Sequence, residues 1–170
     1  LCNHASILRE QVYELVFTGN STMEHMLCGL DVSQLGQVPF IPTHGQGIII
    51  PASQLGLSVH RQAGAYVFPL IGGFVGGDTV GCIVAAKLPE TSEPTLMVDI
   101  GTNGEMVMGN REGVLVCSAA AGPAFEGAKI EQGMRASDGA IHRVRMGNGV
   151  LTCDTINGRP AKGICGSGLI

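Results

Sequence analysis

Apolar residues along this chain come in short bursts punctuated by glycine and proline, and the period of the bursts changes midway. Residues 3 to 11 place Ile7 and Leu8 on one side, which predicts the tail of a helix. Tyr13 to Thr18 (YELVFT) predicts a short strand, and Gly19-Asn20 a turn. Asn20 or Ser21 can cap a helix over 22–28 that puts Met23, Met26 and Leu27 on one face and stops at Gly29. From Ser33 to Gly64, prolines at 39, 42 and 51 and glycines at 36, 45, 47 and 56 predict loop. A strand over 65–70 then leads through Gly72-Gly73 and Gly76-Gly77 into a small-residue helix, Asp78 to Lys87, with Asp78 as its cap.

Pro89 and Pro94 bracket a linker and the expected lobe boundary. Beyond it the pattern predicts strands at Thr95–Ile100, Glu105–Met108 and Val114–Ser118. Ala121-Gly122-Pro123 opens an expected helix running to about Ile130. A further hairpin, Ala140–Met146 and Val150–Cys153, closes on Asn148-Gly149. Met97, Met106 and Met108 fit packing in a core or on a sheet face. There is no repeat of 20–50 residues.

Composition narrows the function. The 170 residues carry 45% hydrophobic and only 14% charged side chains, against about 25% charged in an average domain, so a sizeable buried core is expected and disorder is not. A net charge of −4 with scattered Lys and Arg, 4% aromatics and no Trp argues against a nucleic-acid partner. The longest apolar runs, such as Ile48–Ala52, are too short to span a bilayer, and no secretory signal is visible, so no membrane association is expected. Six cysteines at 2, 28, 82, 117, 153 and 165 follow no metal or cluster spacing; they read as reduced, mostly buried residues of a cytoplasmic protein. The chain opens at Leu1 and closes on Gly166-Ser167-Gly168-Leu169-Ile170, a turn entering a helix, so a piece of a longer protein is expected.

Five segments carry candidate chemistry. In TLMVDIGTNGEMVMG (95–109) an apolar strand ends on Asp99, and a turn of Gly101, Thr102, Asn103 and Gly104 can aim backbone N–H groups at an anion. Asp99 at the strand end can hold a hydrated Mg2+; an ordinary hairpin fits the same residues. In GGFVGGDTVGC (72–82) Asp78 can orient water, accept a proton or contact metal, or simply cap the helix. CSAAAGPAFEG (117–127) and GICGSG (163–168) place glycines where strand gives way to helix, yet match neither a P-loop nor a dinucleotide fingerprint. Gly19 and Asn20 open a fourth strand–turn–helix, in which His25 reads better as a structural histidine than as a ligand.

In order, GNSTMEH with CGL, VPFIP, GGFVGGD, VDIGTNGE, AAAGPAFEGAKIEQGMRA with DGAI, and GICGSGLI resemble the nucleotide domain of the ATP-dependent reductive activators of corrinoid proteins, over nearly the whole chain. That family sits in the actin-like ATPase superfamily with actin, sugar kinases and large chaperones. The resemblance implies actin-like (ribonuclease-H-like) α/β lobes with mixed sheets, incomplete here. Residues 1–90 would form the latter part of the first lobe, and 91–170 the front of the second, beginning with its phosphate hairpin. It implies ATP and Mg2+ as cofactors. Asp99, Gly101, Thr102, Asn103 and Gly104 would carry the second phosphate site, and Asp78 would be the catalytic or metal-positioning carboxylate. Gly19 and Asn20 would join the nucleotide site. Gly122, Pro123, Gly127, Gly166, Ser167 and Gly168 would line the cleft or its adenosine side.

The implied activity couples ATP use to uphill electron transfer, from an iron–sulfur cluster to an inactive Co(II) corrinoid protein, giving Co(I). No cluster-binding cysteine set occurs here and the first phosphate hairpin is absent, so both are expected outside these residues. The implied partner is a corrinoid protein, and the low charge is compatible with a homodimer face. Two other readings stay open: a sugar-type kinase using Asp78, and a non-catalytic nucleotide-sensing scaffold.

Overall fold

The computed structural model describes every residue except Thr102, Ala128 and Ile170, and the side chains of Phe125 and Glu126. Its elements are α1 (Cys2–Ala5), β1 (Glu14–Phe17), α2 (Ser21–Leu27), β2 (Ile48–Pro51), β3 (Gly64–Val67), α3 (Gly77–Ala85), β4 (Thr95–Ile100), β5 (Asn103–Asn110), β6 (Gly113–Ala120), β7 (Ala140–Gly147), β8 (Val150–Thr155) and β9 (Gly163–Ile164), with short 3-10 turns between. Two compact units result: Leu1–Met97 with Val107–Cys117, and Val98–Met106 with Ser118–Ile170.

In the first unit β3 is the central strand of a mixed sheet ordered β1-β3-β2. It runs parallel to β1 (Leu15 opposite Ala65) and antiparallel to β2 (Ile49 opposite Tyr66). The central position buries Ala65 and Val67 completely or nearly so. A second cluster joins Ile83 of α3, Leu88 and Val107, with Met97 and Val116 packed against it. Alternation along the meander β4-β5-β6 explains that choice. Met97 and Val107 point to the cluster, whereas Leu96, Val98, Ile100, Met106 and Met108 face outward and stay exposed. Met106 and Met108 therefore take the sheet-face placement that their spacing allowed rather than the core one.

The second unit holds a sheet ordered β8-β7-β9, antiparallel for β7/β8 and parallel for β7/β9. Asn148 and Gly149 turn the hairpin with φ of 49° and 75°, the left-handed pair that a two-residue loop requires. Ala140 and Cys165 are its buried anchors, and the Cys165 thiol donates to the Ile141 carbonyl at 3.2 Å.

Several expectations are corrected. The helix expected over 3–11 is two pieces, because Ser6 turns left-handed (φ 54°) after α1 and only a 3-10 turn, Arg9–Gln11, follows. Within the 33–64 loop, the β-branched run Ile48–Ile50 forms β2, with Pro51 confined to the strand's end. β3 stops at Val67 rather than 70, ahead of Pro69, which has no N–H for a ladder. The helix expected from 121 to about 130 shrinks to a 3-10 turn, Pro123–Glu126, closed by Gly127 at φ 77°. Of the cysteines, only Cys165 is buried, whereas Cys82, Cys117 and Cys153 are exposed; all six are free. Among the described residues no helix is long and apolar enough to cross a membrane.

Candidate functional site

In the first unit the fold joins two glycine motifs that lie over fifty residues apart in the chain. Asn20 caps α2, its side-chain oxygen accepting the Met23 N–H at 3.0 Å. The Asp78 N–H donates to the Gly19 carbonyl at 3.1 Å, and the Ser21 hydroxyl to the Gly72 carbonyl at 2.8 Å. The approach is possible because Gly76 and Gly77 have no side chains. A Cβ on Gly76 would stand 2.6 Å from both the Asn20 Cα and the Gly19 oxygen. A Cβ on Gly77 would collide with Glu24 Oε1 and lie 2.8 Å from the Phe68 Cβ. Asp78 is not the helix cap; that position is Gly76, and Asp78 sits in the first turn of α3, half-buried. Its Oδ1 accepts the N–H of Thr79 at 2.8 Å. A carboxylate placed there favours the helix dipole and still faces solvent enough to meet a water or a hydrated cation.

Glu24 is a site residue that the sequence motifs do not single out. It is buried, and its Oε1 accepts the Gly19 N–H at 3.0 Å. Burial pushes its carboxyl up to about 7, the Gly19 bond pulls the other way, and the charge of Asp78 adds to the rise. The available signal was a Glu four residues after the Asn20 cap, within reach of the donor just before it; this is a capping box displaced by one residue. His25 is also buried, with Nδ1–H donating to the Ser21 carbonyl at 2.8 Å, as a structural histidine would. Its Nε2 and that of His44 find no partner among the described residues. Both histidines line a water-sized cavity of about 10 Å³ with Glu24, Cys28 and Gln46. Burial, then the neighbouring Glu24, raise the Cys28 thiol.

Replacing Asn20 by Ala removes one cap acceptor; it is expected to cost about 1 kcal/mol of stability, read from the midpoint of chemical denaturation.

In the second unit Asp99 is half-buried near the end of β4. The following turn is tight: the Gly101 N–H donates to the Asn103 carbonyl at 3.0 Å. Around Gly104 the space is open, with nothing nearer than 3.9 Å to where a Cβ would stand. Thr102 lies outside the described residues. Gly122 takes a φ of 81° just before Pro123, and Gly127 is pressed against the backbone of Met134. The Gly166–Gly168 turn packs on β7, where a Cβ on Gly168 would strike the Ile141 carbonyl. Ser167 lies 3.3 Å (Oγ to Sγ) from Cys165 and borders an open groove of about 630 Å³ with His142, Arg143, Val144, Gly168 and Leu169. Asp78 and Asp99 belong to different units. Among the described residues no three His, Cys, Asp or Glu side chains converge to hold a metal ion. Mg2+ asks less than that, one or two carboxylates with water and phosphate oxygens completing its shell, and Asp78 and Asp99, each half-exposed within its own unit, are carboxylates of that kind.

Comparison with known proteins gives one consistent result. Residues 1–91 match the family profile described as the RACo middle region, and residues 93–170 the C-terminal domain of RACo, the ASKHA domain. The chain is 38% identical over all 170 residues to the corrinoid activation enzyme RamQ of Eubacterium limosum, covering 28% of that protein. Over 98 residues it is 37% identical to the [Co(II) methylated amine-specific corrinoid protein] reductase of Methanosarcina barkeri, covering 57% of this chain and 18% of that protein. A solved structure, a reductive activator for corrinoid, iron-sulfur protein, superposes with a TM-score of 0.81 at 36% identity over 99% of this chain and 27% of its own. The chain thus spans under a third of the length of these relatives, and its mixed α/β sheets are those of an actin-like ATPase fold. With both stretches matched in order and the fold shared, the chain belongs to the RACo family of corrinoid-protein activators.

Proposed function

We propose that these residues are the ATP-binding and ATP-hydrolysing part of an iron–sulfur reductive activase that returns an inactive Co(II) corrinoid protein to Co(I). The observation that carries the reading is the contact between the Gly19–Asn20 turn and the Gly76-Gly77-Asp78 helix start, which presents a half-buried carboxylate beside a glycine-lined backbone. Residues 1–90 are read as the latter part of the first lobe and 91–170 as the front of the second.

In this reading Asp78 orients a water and takes its proton, and Asp99 and Asp78, each described within its own unit, are the carboxylates that would ligate hydrated Mg2+. Gly19, Gly101 and Gly104 would admit phosphate oxygens close to the backbone, as residues without a side chain allow, with Asn20, Thr102 and Asn103 beside them in the chain. Gly122, Pro123, Gly127, Gly166, Ser167 and Gly168 border the rest of the nucleotide. When bound, Mg-ATP supplies the free energy that makes the uphill electron transfer go. The electron comes from an iron–sulfur cluster elsewhere in the polypeptide, and the Co(II) corrinoid is substrate. The protein is read as a cytoplasmic homodimer, a state that sedimentation of the intact protein checks.

The test uses the intact protein with a corrinoid protein and a low-potential reductant. Co(I) absorption is expected to grow only with Mg-ATP and to stop with a non-hydrolysable analogue. Co(I) formation that is indifferent to ATP would falsify the coupling. ATP consumed with phosphate appearing on a small molecule would instead establish the kinase reading.

A further inference from the structure

We propose that Glu24 is a positioning residue for Asp78, clasping the Gly19–Asn20 turn onto the first turn of α3. The inference rests on the reading of Asp78 as the water-orienting carboxylate. Two hydrogen bonds connect the groups in series. Glu24 Oε1 accepts the Gly19 N–H, and the Gly19 carbonyl accepts the Asp78 N–H. Gly77 closes the clasp from the other side, since its Cα approaches Glu24 Oε1 too closely for any side chain. One buried carboxyl thus bonds the Gly19 turn and packs against the start of α3, and its displacement passes through Gly19 to the backbone of Asp78. Displacements of about 1 Å at a reacting group can cost about 10²-fold in rate.

The experiment compares wild type, E24Q, E24A and D78N of the intact protein, measuring kcat and KM for ATP at one fixed pH and the melting temperature as a function of pH. E24Q keeps an acceptor for Gly19, so its kcat and KM are expected to stay close to wild type. E24A is expected to lose roughly 10- to 100-fold in kcat with KM nearly unchanged.

The melts supply a readout independent of activity. The folded carboxyl is raised above its unfolded value, so the stability tied to its protonation is present below about 4.5 and lost as pH climbs to about 7. The melting temperature of E24Q should therefore gain on wild type across that window and run parallel above it. If D78N is inactive while E24A shares the wild-type kcat and KM, the clasp is overturned and the role of Asp78 stands. If D78N is fully active, both fall. Should E24A fail to fold, E24D, whose carboxylate is one methylene too short to reach the Gly19 N–H, decides in its place, with the same loss of kcat expected.

Discussion

Asp78→Asn in the intact protein is expected to lower ATP hydrolysis by about 10²–10⁴ and to leave the fold in place. Asn has the shape of Asp and retains an oxygen for the Thr79 N–H, which Asp78 Oδ1 now accepts at 2.8 Å. The backbone bond from Asp78 to Gly19 does not involve the side chain and persists. What disappears is the charge, and with it any ability to accept a proton or to hold a cation. Asp99→Asn is the companion variant, expected to raise the Mg2+ concentration needed for half-maximal rate. Steady-state hydrolysis with circular dichroism on the same samples decides the matter. Unchanged rates in both variants would assign both carboxylates to structure and sustain the scaffold reading.

Gly77→Val should produce the largest loss of stability. Its Cβ would collide with Glu24 Oε1 and crowd the Phe68 Cβ at 2.8 Å, and two further methyl groups would have no space. Overpacking of this kind costs about 1–3 kcal/mol. Driving Glu24 aside also strips the buried Gly19 N–H of its acceptor, about 1–3 kcal/mol more. A total of about 2–6 kcal/mol is a large share of the roughly 5–15 kcal/mol that holds a domain folded. Chemical denaturation reads the effect. A loss below about 1 kcal/mol would mean that α3 can shift away from α2 at little cost. Gly56→Ala, which meets no atom within 4 Å but sits at φ 69°, provides a control for backbone strain without collision.

Much of the local architecture is legible in the amino-acid sequence. The span of β4 at Thr95–Ile100, the Asn148-Gly149 hairpin and the helix after Asn20 follow from alternation, a left-handed turn pair and a capping oxygen. Each signal acts between residues only a few positions apart. The elements that differ from expectation share another cause. Ile48–Ile50 lies among prolines and glycines and is a strand only because β3 offers it a partner. Pro123–Glu126 opens with a good first-turn proline yet ends at once, since Gly127 must turn left-handed against Met134. Cys82, Cys117 and Cys153 have the composition of interior residues, but the period of each element carries them outward.

The candidate site divides along the same line. By itself the sequence marked Gly19-Asn20, Gly76-Gly77-Asp78 and the 99–104 hairpin as turns with candidate chemistry, and the order of these motifs pointed to the family. It contained no measure of which turns meet. Tertiary structure alone decided that Gly19 and Asp78 share a hydrogen bond, that Gly77 stands against Glu24, and that Glu24 is buried with its carboxyl raised to about 7. The physical reason lies in the range of the forces. Capping and alternation are set by bonded geometry within a turn of chain, whereas desolvation and close packing depend on which distant segment covers the group.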